Sequence, residues 1–149
     1  MENRTIIALE KGLSETYMQY LNTQKCHWNV EGPQFHSLHL MFEEQYQALA
    51  AHIDILAERI RALGAYAPGS FSEFSACSDI KEIKPRQIDA HAMINLLLSG
   101  YEHLVETLKE VGNRASEERD SETEDMVIGF NQIHQKHMWM LRSMASDKK

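Results

Sequence analysis

The chain has 149 residues, the size of one ordinary domain, with 43% hydrophobic and 25% charged residues, which excludes disordered and collagen-like classes. Only 7 Gly and 3 Pro occur in that length, too few turn residues for a sandwich or a barrel. The formal charge of −7, from 15 Lys and Arg against 22 Asp and Glu, disfavours long-range attraction to DNA phosphates or an anionic membrane and favours cationic partners, metal ions among them.

The start, Met1 to Ile7, meets Glu10 and Lys11 too early for the apolar region of a signal peptide. No run approaches the roughly 20 apolar residues of a membrane span. Cys26 and Cys77 form neither a CxxC nor a disulfide framework, and both read as buried small hydrophobes. A reduced, cytoplasmic, single-domain protein over residues 1–149 is the expectation.

In chain order, Ile6, Leu9, Leu13, Tyr17, Tyr20 and Leu21 fall at the spacing of an amphipathic helix, whose stripe continues to Gln24 and His27 before Gly32-Pro33 ends it. A second stripe runs Phe35, Leu38, Phe42, Tyr46, Leu49, Ile53, Leu56, Ile60 and Leu63, with Gly64 as its cap. A segment of about twenty residues, Ala65 to Arg86, follows, and Phe71, Phe74 and Cys77 within it predict one short helix. The third long stripe is Met93, Leu97, Tyr101, Leu104, Leu108 and Val111. The fourth is Met126, Phe130, Ile133, His137, Met140 and Met144, opened by a capping box at Ser121 to Glu124. Short connections make helices one and two, and three and four, antiparallel hairpins. The long crossover makes two and three parallel, so the fold class is an all-α four-helix bundle with a short helix in its crossover.

Carboxylate-bridged metal sites inside such bundles are built from Glu-x-x-His pairs, and this sequence has none, which argues against a metal site in the four-helix core. Helix two carries other candidates. His39/Glu43 and Asp54/Glu58 are two i, i+4 pairs within an arc of roughly 100° that flanks the apolar stripe. His39 and Asp54 are about 22 Å apart along the helix, so the pairs cannot share a metal within one chain. Two copies crossing antiparallel about a two-fold axis near Ala48-Leu49, over the row Gln47, Ala50 and Ala51, would bring His39 of one copy beside Glu58 of the other. His27 lies six residues before Pro33 and His39 six after, so the hairpin makes them neighbours. Mixed imidazole and carboxylate donors suit iron, manganese or zinc. On spacing alone, acid pairs of this kind are equally ordinary solvated helix faces, and a His on an apolar stripe an ordinary core residue.

The run His27-Trp28-Asn29-Val30-Glu31-Gly32-Pro33-Gln34-Phe35, with Leu38-His39, Phe42-Glu43 and Asp54-Ile55-Leu56-Ala57-Glu58-Arg59-Ile60, resembles the signature of the Dps proteins, the ferritin-like mini-ferritins. The resemblance implies a homododecamer of two-fold dimers around a hollow core. It also implies inter-subunit ferroxidase sites where Fe(II) is oxidised, preferentially by hydrogen peroxide, and stored as ferric mineral, with zinc or manganese able to substitute. By position it makes His27, His39, Asp54 and Glu58 the ligands, and Glu43 stands where the family commonly has Asp. Trp28 would be a redox-active aromatic beside the iron. Asp120, Glu122 and Asp125 would ring three-fold pores, although acidic residues at a helix start also serve its dipole. His36 reads as a surface residue, and His134 and His137 as structural. DNA-binding members carry a Lys/Arg-rich tail. Here the first twenty residues hold only Arg4 and Lys11, and the C-terminal tail only Lys148 and Lys149, which argues against strong DNA binding.

Overall fold

A computed structural model describes residues 3–145; Met1, Glu2 and the tail lysines Lys148 and Lys149 lie outside them. Among the described residues there are five helices and no strand: α1 (Arg4–Asn29), α2 (Phe35–Ala62), α3 (Phe71–Cys77), α4 (Ala90–Glu117) and α5 (Ser121–Ala145). α1 pairs with α2 and α4 with α5, and α1 packs against α4 to join the two hairpins. The expected bundle with its crossover helix is present. Among the described residues, no helix is long and apolar enough to cross a membrane.

Local chemistry sets the helix ends. The Asn3 side chain accepts from Ile6 N at the start of α1. α2 stops where Gly64 takes φ 99°, and Ala65 N then reaches back to Ile60 O at 3.2 Å. The start of α5 differs from expectation. Asp120, not Ser121, is the cap: its carboxylate accepts from Thr123 N at 3.1 Å, and Ser121 is already helical.

The core stripe of α4 is as expected, with Met93, Leu97, Tyr101, Leu104, Leu108 and Val111 all buried. On α5 the buried row is Thr123, Val127, Phe130, His134, His137 and Leu141, while Ile133 is exposed and Met140 and Met144 are half-buried. An apolar count passes over that row because three of its members are polar. α1 shows the same effect: Ser14, Thr16, Gln19 and Thr23 are buried, while Tyr17, Tyr20 and Leu21 are half-buried. Thr16 and Thr23 satisfy their hydroxyls by donating to Gly12 O and Gln19 O one turn back, at 2.7 and 2.6 Å. Small residues that are hydrogen-bonded locally let α1 lie close to α4. Cys26 is fully buried, which pushes its thiol up to about 12, but Cys77 is only half-buried.

The crossover is strapped to α1 through its backbone. Asn22 donates to Lys81 O at 2.9 Å and accepts from Ile83 N at 3.0 Å, and Lys25 donates to Ile83 O. α3 docks by stacking Phe74 on Tyr17 at 4.8 Å.

Where α1 meets α4, the Gln19 amide donates to Leu97 O at 2.8 Å across the face of Gly100. A Cβ on Gly100 would lie 2.0 Å from Gln19 Oε1. Alanine in a helix interior ordinarily adds about 1 kcal/mol over glycine. Here the buried amide would lose its place, so Gly100→Ala is expected to cost roughly 1–3 kcal/mol, seen as a lower melting temperature. Gln19→Ala/Gly100→Ala should recover part of the loss. A raised melting temperature in the single variant contradicts the contact.

Candidate metal centre

The hairpin between α1 and α2 builds the first half of the centre. His27 stands in the last turn of α1, where carbonyls lack helical donors. His39 stands in the second turn of α2. His27 Nδ1 lies 2.7 Å from His39 O, and His39 Nδ1 lies 2.7 Å from His27 O, with the rings stacked 3.8 Å apart at 13°. A carbonyl oxygen only accepts, so each Nδ1 must carry the proton and donate it. Both Nε2 atoms are thereby left as lone-pair donors, the arrangement in which a backbone carbonyl fixes the tautomer of a metal-ligating histidine. Phe35 flanks His39 at 5.1 Å, and Tyr46 stands edge-on to His27 at 5.2 Å. His27 is buried and His39 half-buried, so the pair opens to one side.

The carboxylates share the outward side of α2. Glu43, one turn after His39, is half-buried, and Asp54 and Glu58 are exposed. None of the three forms an ion pair among the described residues, whereas the neighbouring Arg59 is engaged with Asp120 at 3.0 Å. A hydrogen bond that the Glu58 carboxyl donates to Asp54, together with the negative charge of Asp54, holds the Glu58 carboxyl above its usual range. Two neighbouring carboxylates repel each other, and a cation joining them would relieve that repulsion. α2 is continuous through His39, Glu43, Asp54 and Glu58, so the imidazole pair and the Asp54/Glu58 pair stay about 22 Å apart on one chain. Gln47, Ala50 and Ala51 between them are exposed, and Leu40 and Ile55 add exposed apolar surface. Leu49 is fully buried, so a two-fold crossing would run over the alanines and not over Leu49.

The ferritin-like domain model matches residues 6–149. The chain is 34% identical, over 98% of its length and 99% of the relative, to a protein of Bacillus anthracis named DNA protection during starvation protein 2. It is 38% identical over 91% of its length, and 76% of the relative, to a low temperature-induced protein of a Nostoc species. Its fold superposes with TM-score 0.91 on a Dps protein from Vibrio cholerae, described as a member of the ferritin-like diiron-carboxylate proteins, at 32% identity over 96% of this chain and 89% of that one.

The chain belongs to the Dps family of ferritin-like proteins.

In this Dps chain the other candidate residues are placed as follows. Trp28 is 60% exposed, and the ring packed edge-on to His27 is that of Tyr46. Tyr46 was legible only as a member of the apolar stripe. His36 is exposed, as expected, and His134 and His137 are buried in the bundle. A cluster that residue spacing gave no sign of joins Glu15, Asp79 and His103. Buried Glu15 is already saturated, by Asp79 N at 2.9 Å, His103 Nε2 at 3.1 Å and the Thr107 hydroxyl, while Lys11 sits 2.7 Å from Asp79. With an ammonium in place, this group works as a clamp on the crossover.

Of the three acidic positions before and within α5, Glu122 and Asp125 are exposed, but Asp120 is engaged. It caps the helix, pairs with Arg59 and accepts from the Thr123 hydroxyl. Burial pushes its carboxyl up, but the bonds from Thr123 and Arg59 outweigh this and leave it below its ordinary value. A depressed carboxyl stabilises the fold above its unfolded pKa and loses that contribution as pH falls through its folded value. Asp120→Asn should therefore cost about 1 kcal/mol at pH 7 and converge with the wild type below about pH 4. Thermal melts across that range test it, and a deficit that persists unchanged in acid contradicts the assignment.

Proposed function

We propose that this chain is an iron-oxidising, iron-storing mini-ferritin whose reaction centres form between chains. The observation that carries this reading is the reciprocal bonding of His27 and His39, which leaves two imidazole lone pairs open on a face where Glu43, Asp54 and Glu58 have no cationic partner among the described residues. A second copy crossing α2 antiparallel would bring its Asp54 and Glu58 to the first copy's His27 and His39, twice per dimer. Six such dimers would form the hollow homododecamer.

Iron enters as substrate. The imidazoles bind either oxidation state, while the carboxylates favour the harder ferric ion and so favour loss of an electron at that position. Hydrogen peroxide accepts two electrons: two Fe(II), one peroxide and two protons give two Fe(III) and two waters. Paired oxidation releases no hydroxyl radical, and ferric product would pass to the mineral store and protect against oxidative stress. Where only one Fe(II) is present, Tyr46 beside His27, with Trp28 further out, would supply the second electron. Glu122 and Asp125 would attract Fe(II) toward the pores, with Asp120 acting chiefly as cap and ion-pair partner. Zinc or manganese would occupy the same donors without being oxidised in this way.

DNA compaction is the weaker reading. The charge is −7, and the two cations of the first twenty residues are tied down within the chain, Arg4 to Glu117 at 3.7 Å and Lys11 to Asp79 at 2.7 Å.

Anaerobic addition of peroxide to Fe(II)-loaded protein is expected to consume one peroxide per two Fe(II). Asp54→Ala/Glu58→Ala should slow that oxidation by at least about tenfold while sedimentation shows the assembly intact. A double variant with wild-type rate and stoichiometry in an intact assembly would remove these residues from the centre.

A further inference from the structure

The seam between α2 and α5, the neighbouring helices with least direct contact, is filled by buried polar side chains that the iron site does not use. His52 of α2 and His134 and His137 of α5 are 5%, 1% and 5% exposed. The His52 and His134 rings lie 5.1 Å apart at 68°, and the Tyr101 ring of α4 lies 5.5 Å from His134 and 6.0 Å from His137. Phe130 stacks on His52 at 4.0 Å and walls the group on one side. Nδ1 of each histidine, Nε2 of His134 and the Tyr101 hydroxyl have no hydrogen-bond partner among the described residues. Buried polar atoms in folded proteins are nearly always partnered, so a concentration of orphans in one place points to a missing ligand.

We propose that His52, His134 and His137 form a site for one divalent late transition ion of the zinc class inside each chain. The donor set decides the class. Three neutral nitrogens and a phenol suit zinc and its congeners over ferric iron, and the exposed Glu44 carboxylate reaches His137 through its charge. The lack of Glu-x-x-His excludes a carboxylate-bridged pair of irons here but leaves a nitrogen site open. The His52 and His134 rings stand as two imidazoles on one tetrahedral ion would, because metal–nitrogen bonds of about 2.0–2.1 Å hold the ring centres about 5 Å apart and inclined to each other. His134 and His137, three residues apart, share one face of α5. No hydrogen bond among the described residues holds these rings, and a shared ion needs the His137 side chain to turn toward the other two. Burial lowers His52 to about 4 and His134 to about 3, which keeps both lone pairs unprotonated at neutral pH. The ion would tie α2 to α5 through the bundle.

The test is a Co(II) titration of chelator-stripped, assembled Asp54→Ala/Glu58→Ala protein, followed by Zn(II). One Co(II) per chain is expected, with the intense visible bands of a four-coordinate site, displaced by one Zn(II) and accompanied by a higher melting temperature. Adding His39→Ala should leave the bands in place, and adding His134→Phe should abolish them. If His134→Phe does not fold, His52→Gln serves the same purpose. Absence of bound Co(II) in the folded background protein would overturn the proposal, as would bands lost with His39 or retained without His134.

Discussion

Two hydrogen bonds between α1 and α2 organise this molecule's chemistry. His27 and His39 each give their Nδ1 proton to the other's backbone carbonyl, and the carbonyl of His27 lies at a helix end where it has no donor within its own helix. The same contact locks the hairpin, stacks the rings and fixes both tautomers. An alternative tautomer would place a lone pair against a carbonyl oxygen and leave the His27 carbonyl unmatched. The open imidazole nitrogens at this position therefore follow from satisfying the hairpin, and the turn at Gly32, with φ 110°, is what brings the two residues face to face.

α2 then divides its labour between two faces. Leu38, Phe42, Leu49, Leu56 and Ile60 bury fully in the bundle, and the outward side carries Glu43, Asp54 and Glu58 among small and apolar residues. A rigid helix cannot fold its two ends together, so under the proposed function the separation of about 22 Å would make each chain a carrier of two half-sites. Activity and assembly would then be coupled. The exposed alanines allow close approach of a second helix, and the unpaired carboxylates give an incoming cation a reason to hold it there.

Much of this could be read from the sequence. Apolar spacing gave α1, α2, α4 and α5, Gly64 marked its cap, and the symmetric placement of His27 and His39 about Pro33 announced their contact. Several of the differences have one physical cause: apolar spacing alone passes over polar core residues. Thr16, Gln19 and Thr23 are core residues of α1 because their polar groups bond locally or to a facing carbonyl. The buried row of α5 is shifted by its threonine and histidines. Asp120 became a cap because Arg59, distant in sequence, holds it at the helix start. No spacing rule reaches such contacts, and the same holds for Glu15, Asp79 and His103, drawn from two helices and a loop.

The central claim is that two copies of the chain complete one iron centre. It is tested most directly by crystals of the assembled protein loaded anaerobically with Fe(II), with anomalous differences collected at the iron absorption edge. The account predicts an iron peak within coordination distance of His27 Nε2 and His39 Nε2 of one chain and the Asp54 and Glu58 carboxylates of another. Iron bound by residues of a single chain, or only at Glu15, Asp79 and His103, would contradict it.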